Sequence, residues 1–377
     1  MRYLCFLLAV LAPALAWAQS DLLPPTPSTM HIFIGTNIGP KSQGIYRATF
    51  NPADGALTDL ALVAEVKNPS FIALDAKRRV LYAISESAQA QVGAYTVRPD
   101  GSLELLVMQP LAGRGPCHVS ISNDGKTLLV SHYGSGAVES LPITPDGSLG
   151  PVVSHIQHTG SGPNTRRQEK PHTHSAIFHP TQPLALVCDL GTDEVIAYRV
   201  NPDASIERLT SARATGGAGP RMSTWSNDGQ YAYVANELDN TLSIYQLIGS
   251  ELKSVASVDV RRADVPDGNS LSQVELSQDN TIAYVSIRDV MKDANQTDAI
   301  AVVDVKDPAN PVVREHTSVG PIPRHFKISP DGKWMLVANQ NGHAIDVFAI
   351  DPTTNALTKT SQRLDVGSPT CVVFDVK

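Results

Sequence analysis

The chain has 377 residues, 42% of them hydrophobic and 18% charged, with a net charge of −7 at neutral pH. That balance supports a large folded core, and the absence of any basic run excludes nucleic acid as a partner. Gly and Pro, at 26 and 27 residues, are numerous enough for a chain built mainly of turns and short strands.

Residues 1–20 read MRYLCFLLAVLAPALAWAQS. Arg2, an apolar run from Leu4 to Leu15 and the small-x-small end Ala16-Trp17-Ala18 predict a secretory signal cleaved after Ala18. The apolar run is short for a bilayer span, and no later stretch is apolar enough to be one. Export to the periplasm or beyond is therefore expected, with no membrane span in the mature chain. Residues 19–29 form a Pro/Ser/Thr leader expected to stay extended, and 30–377 form one domain. Cys5 leaves with the signal. Cys117, Cys188 and Cys371 are odd in number and far apart, so they imply no disulfide framework and are expected to be buried as small apolar side chains.

Downstream, one pattern recurs, most legibly at 219–247. Gly-Pro leads into a short strand, Asp228-Gly229 supplies a tight turn, and Tyr231, Tyr233 and Val234 mark a second strand. A polar break at 236–240 then precedes a third strand carrying Leu242, Ile244 and Tyr245. Asp124 and Asp331 occupy the same Asp-Gly turn and are structural. Copies start at 68, 115, 171, 219, 270, 322 and 368, and their fourth residues are Phe71, His118, His174, Met222, Gln273, His325 and Cys371, 46 to 56 residues apart. This period predicts an all-β, seven-bladed β-propeller of four-stranded antiparallel blades. The last copy stops after one strand. Its missing strands are available at 31–36, 44–50 and 60–66, so the last blade is expected to join the N- and C-terminal strands and close the ring. Two insertions break the rhythm: 156–171 before blade 3, and 289–298 after the second strand of blade 5.

In a propeller, first-strand starts and second-strand ends meet at one mouth of the central channel. The starts bring His118, His172, His174, Arg221, Arg324 and His325; the ends bring Glu86, Tyr133, Asp189, Glu237, Arg288 and Gln340. Such a gathering of titratable groups is what a reactive pocket requires. Each also has a structural reading: channel-lining histidines satisfied by backbone, Arg221 and Arg324 pairing across blades, Glu237 capping a turn. His172 and His174 share a strand face but lack a third ligand nearby, so no metal site is expected. Nor is there a Gly-x-Ser-x-Gly elbow, a His-Glu-x-x-His, a phosphate-cradling Gly loop with Lys, or a Cys-x-x-Cys. Proton transfer beside anion binding remains, without a cofactor.

The segments GRGPCHVSISNDGKTLLVSHYGSGAV, RRQEKPHTHSAIFHP with LVCDLGTDEVIAYRV, GAGPRMSTWSNDGQYAYVANELDN and VGPIPRHFKISPDGKWMLVANQNG resemble the seven-bladed lactonase family, over the whole of 30–377. That family includes propeller-type 6-phosphogluconolactonases and carboxy-muconate lactonizing enzymes (cycloisomerases). The resemblance implies a catalytic set of one His, two Arg and one Glu. By motif these are His174 in PHTHS, Arg221 in GPR, Glu237 in ANEL and Arg288 in VSIRD. Met222 departs from the pattern, standing where the family usually has His. Arg324, His325, His118 and His172 are the expected substrate-binding residues. The implied activity is hydrolysis of a small-molecule aldonolactone or related acidic lactone, by a monomer or weak dimer. The alternatives are a cycloisomerase and a non-catalytic envelope binding propeller.

Overall fold

The computed structural model describes residues 29–376, apart from 38, 40, 88, 263–267 and 291–296. The expected signal, nearly all of the leader and the middle of the 289–298 insertion lie outside the described residues. Among the described residues the regular structure is 28 strands in seven four-stranded sheets. No helix there is long and apolar enough to cross a membrane.

Each sheet is one antiparallel blade. Blades 1 to 6 have inner strands Ile72–Asp75, Pro116–Ile121, Thr173–Phe178, Pro220–Trp225, Asn269–Leu276 and Pro323–Ile328, and in each the chain then steps outward strand by strand. Blade 7 combines both termini, as expected. Pro369–Phe374 is its inner strand, followed outward by Met30–Thr36, Gly44–Phe50 and Leu57–Glu65. The last begins three residues before the expected 60–66. The junction is a true ladder, with Ile32 opposite Phe374 and Ile34 opposite Val372. The inner strands contact their neighbours all the way round the ring.

Between adjacent blades lie seven apolar clusters, one for each interface. Blades are therefore covered on both faces. This explains why the second strands, such as Val80–Ser85 and Leu184–Asp189, are buried at every residue instead of alternating. The Ser-x-Asp-Gly turns recur as read: Ser122, Ser226 and Ser329 donate to Asp124, Asp228 and Asp331 at 2.6–2.7 Å, and Gly125, Gly229 and Gly332 have φ of 69–72°.

Ending the chain at Gly367 removes the inner strand of blade 7, bares the sheet edge of Met30–Thr36 and exposes the apolar cluster holding Val372 and Phe374. Such a truncation is expected to be insoluble. A soluble truncate melting cooperatively near the full-length Tm would contradict this account of closure.

Candidate active site

The residues at the mouth are placed by a recurring backbone irregularity. Where the inner strand of a blade leaves its turn, one extra residue is bulged out of the ladder. Pro116 and His118 pair with His132 and Ser131, leaving Cys117 over; His174, Arg221 and Arg324 are left over in the same way. Blade 5 has its bulge between Leu271 and Val274. A bulge re-aims its side chain away from the strand's alternation, and in blades 3, 4 and 6 the residue re-aimed is His174, Arg221 or Arg324. The residue before the strand is left-handed in several blades: Gly115, Gly219 and Ile322 have φ of 59°, 66° and 56°. For a β-branched Ile that is a strained conformation, held two residues before Arg324.

At the centre is Glu237, just past the second strand of blade 4 (Tyr231–Asn236), with its backbone N–H donated to Gly219 O at 2.7 Å. Its carboxylate is 7% exposed and meets three guanidinium groups. Arg167 Nη2 donates to Oε1 at 2.6 Å, while Arg221 Nε and Arg288 Nη2 lie 2.8 and 3.2 Å from Oε2. Arg221 also donates to Ser272 O, and Arg288 to Ser270 Oγ and Leu271 O at 2.7 and 2.9 Å. Burial alone would raise the carboxyl's pKa, but the charges of Arg288, Arg221 and Arg167 hold it far below the usual carboxylate range. Burial, and then the charge of Arg288, push Arg221 down to about 9. This crowding of like charge favours an incoming anion.

His174 stands beside this cluster, edge-on to Tyr133 with ring centroids 5.7 Å apart. Its Nδ1 is buried with no hydrogen-bond partner. Burial, then Arg221, keep the imidazole well below its ordinary pKa, so it is neutral at physiological pH. Arg324 is half-buried and makes no hydrogen bond or ion pair among the described residues, yet its charge reaches Arg221, Arg288 and His174. Phe71 packs against clusters from blades 4–5, 1–2 and 7–1, so its ring lies across the channel. The mouth thus combines a neutral imidazole, a clamped carboxylate and guanidinium groups. This set can move a proton and stabilise an oxyanion.

The model of the seven-bladed β-propeller lactonase family matches residues 31–374. The chain belongs to that family. This lactonase is 32% identical to the 6-phosphogluconolactonase of Bacillus subtilis (strain 168), over 91% of its own length and 97% of that protein's. It is 29% identical to the 6-phosphogluconolactonase of Formosa agariphila, over 91% and 99%. The structure of the Pseudomonas aeruginosa periplasmic gluconolactonase shares 28% identity, covers 92% and 99% of the two chains, and superposes with a TM-score of 0.83.

The structure brings His174, Arg221, Glu237 and Arg288 of the lactonase together, with Arg324 nearby. The other expected residues have different surroundings. The rings of His118 and His325 flank Phe71 and accept the N–H groups of Ala176 and Val372 on the neighbouring inner strands, each at 3.4 Å. Burial pushes both to about 3. Both ring nitrogens of His172 are engaged, with Tyr133 O at 2.7 Å and Glu169 at 3.2 Å, and the ring stacks on Tyr133.

Three readings from the sequence need correction. His174 is not level with His118 and His325: the bulge sets it level with Cys117, Arg221 and Arg324. Asp189 does not face the mouth. It is fully buried, accepting from the backbone of His172, Gly191 and Thr192 and meeting His158 Nδ1 at 2.7 Å. Cys188 and Cys371 are buried, but Cys117 is half-buried, its thiol toward the carbonyls of Ser131, Thr173 and His174. Sequence reasoning missed Arg167. Its one signal was its place in RRQEK, within the insertion.

Replacing Glu237 by Ala leaves the buried Arg221 and Arg288 uncompensated. It is expected to cost about 3–5 kcal/mol of unfolding free energy, read by urea denaturation. A change of less than about 1 kcal/mol, the size of an exposed pair, would mean the carboxylate does not hold the cluster together.

Proposed function

We propose that this lactonase hydrolyses an acidic or sugar-derived (aldono)lactone by metal-independent acid–base catalysis at the mouth. The observation that carries this reading is the unpartnered, neutral His174 beside a carboxylate clamped by three arginines. His174 takes a proton from water as the water oxygen bonds to the lactone carbonyl carbon. Arg221 and Arg288 stabilise the resulting oxyanion. The ring C–O bond then breaks, and the proton returns from His174 to the departing ring oxygen, giving the open hydroxy acid. Arg324, which makes no hydrogen bond or ion pair among the described residues, holds an anionic group of the substrate. His118, His172 and His325 brace the mouth around it.

Of the two candidate bases, His174 suits the role better than Glu237. Both oxygens of Glu237 are engaged by guanidinium groups, whereas His174 Nδ1 has no partner among the described residues, so the carboxylate's service is to hold the arginines in place. The substrate class draws support from the relatives named 6-phosphogluconolactonase and from the one described as a periplasmic gluconolactonase. The same relative, with the pattern of Met1–Ala18, supports export.

Base-titrated hydrolysis of glucono-δ-lactone, 6-phosphogluconolactone and a carboxymuconolactone, with and without chelator, tests the reading. Turnover of a sugar lactone that survives chelator is expected, with His174→Ala lowering kcat by about 10²- to 10⁴-fold. Activity confined to the carboxymuconolactone would point to cycloisomerase chemistry. Because the His174 pKa is depressed, the imidazole stays neutral as pH falls from 8 through 6.5, so kcat/KM should be flat there and decline only at lower pH. A half-maximum near 6.5 would rule out a buried neutral His174 as the base.

Export is checked separately. The protein recovered from a periplasmic or culture fraction is expected to begin at Gln19, and retention of Met1 in a cytoplasmic fraction would refute it.

A further inference from the structure

We infer that Arg167, delivered by the insertion before blade 3, is a specificity-determining residue through which the mouth reads a negative charge carried by the ligand away from its reacting carbonyl. The inference rests on the lactonase reading for its kinetics, though not for its binding measurement.

The insertion is held down by residues other than Arg167. Ile156 and Gln157 complete the outer strand of blade 2 (Ser154–Gln157), and the loop proper then runs to Pro171. At its start, buried His158 bridges Asp189 at 2.7 Å and Tyr198 Oη at 2.8 Å. Gln168 is fully buried and donates to Leu190 O and Asp193 at 2.8 and 2.6 Å, while its own carbonyl accepts the N–H of Asn164. Lys170 Nζ donates to Gly134 O at 2.8 Å. The loop is thus fastened through Gln168 and Lys170, on either side of a short stretch, and Arg167 is left to face the mouth.

The contacts of Arg167 are of a different kind. Its side chain is 41% exposed, and its polar partners are Tyr133 Oη, at 3.2 Å from Nη2, and Glu237 Oε1. Arg221 and Arg288 hold the other carboxylate oxygen, Oε2. Glu237 therefore stays anchored when Arg167 turns to another anion, and the outer pair is exchangeable where the inner pairs are not. Four guanidinium groups, those of Arg167, Arg221, Arg288 and Arg324, stand near the mouth. Against them are the carboxylates of Glu237 and of Glu86, which accepts from Ser70. A phosphate or second carboxylate on the ligand balances that excess, and the planar fork of an arginine suits either group.

Arg166 provides the control. It carries the same charge one residue away, is exposed, and its side chain makes no hydrogen bond or ion pair among the described residues. The experiment measures calorimetric Kd values for 6-phosphogluconate and gluconate, and KM for 6-phosphogluconolactone and glucono-δ-lactone, in wild type, Arg166→Gln, Arg167→Gln and Arg167→Lys.

Arg167→Gln is expected to weaken 6-phosphogluconate at least tenfold, and to raise KM for the phosphorylated lactone in parallel. Gluconate and the neutral lactone should change several-fold less. Arg166→Gln should match wild type, and Arg167→Lys should recover part of the loss. Equal weakening by Arg166→Gln and Arg167→Gln would assign the effect to bulk charge and overturn the inference, as would equal losses for both ligands. Binding that depends on Arg167 in a protein that turns over no lactone would sustain the charge-reading role while refuting the lactonase reading.

Discussion

The ladder between the first and last strands of the domain is the contact on which the rest depends. Ile32, Phe33 and Ile34 pair with Phe374, Val373 and Val372, and Arg79 of blade 1 grips Asp375 at 2.7 Å just beyond. Until these distant segments meet, blade 7 lacks its inner strand and the other inner strands have no closed ring to stand in. Every mouth residue comes from a position defined by that ring, so the chemistry is assembled only when the termini are. Such closure is non-local, and its entropic cost must be met before the final interface clusters form.

Within the ring, a small irregularity is turned to use. A regular strand would alternate its side chains between the two blade faces, both of which are apolar cluster. In blades 3, 4 and 6 one bulged residue of the inner strand escapes that alternation, so His174, Arg221 and Arg324 are polar without disturbing the interfaces beside them. The same strands staple blade to blade: Arg221 reaches Ser272 O, Ser120 reaches Ala176 O, and His118 and His325 accept N–H groups from the next blade. Site and scaffold therefore share residues, which keeps the site stiff.

The clamped carboxylate sets the electrostatics. Burying Glu237 with Arg221 and Arg288 gains little stability over an apolar core of equal volume. It does hold the guanidinium groups in place before any ligand arrives, and this preorganisation is what oxyanion stabilisation requires. The neutral His174 completes the arrangement, since a further positive charge beside Arg221 and Arg288 would be costly in so buried a site.

Much of this was legible in the residues themselves. The recurring Asp-Gly turns, the strand content and the truncated last copy determined a seven-bladed ring closed by both termini, because turn chemistry and repeat length are local properties. That His174, Arg221, Glu237 and Arg288 would meet at one mouth was legible too, through their place at strand ends. What only the tertiary structure decided was register and long-range pairing. Strand pairing starts the copy that holds His174 one residue later than the Gly-Pro-like spacing suggests, so His174 falls level with Arg221 instead of His118, and Asp189 is drawn to His158. Arg167 meets Glu237 across 70 residues of chain, from a loop with no periodicity to betray its direction. That contact exists because two blades and an insertion converge in space, and nothing in the local sequence encodes such a meeting.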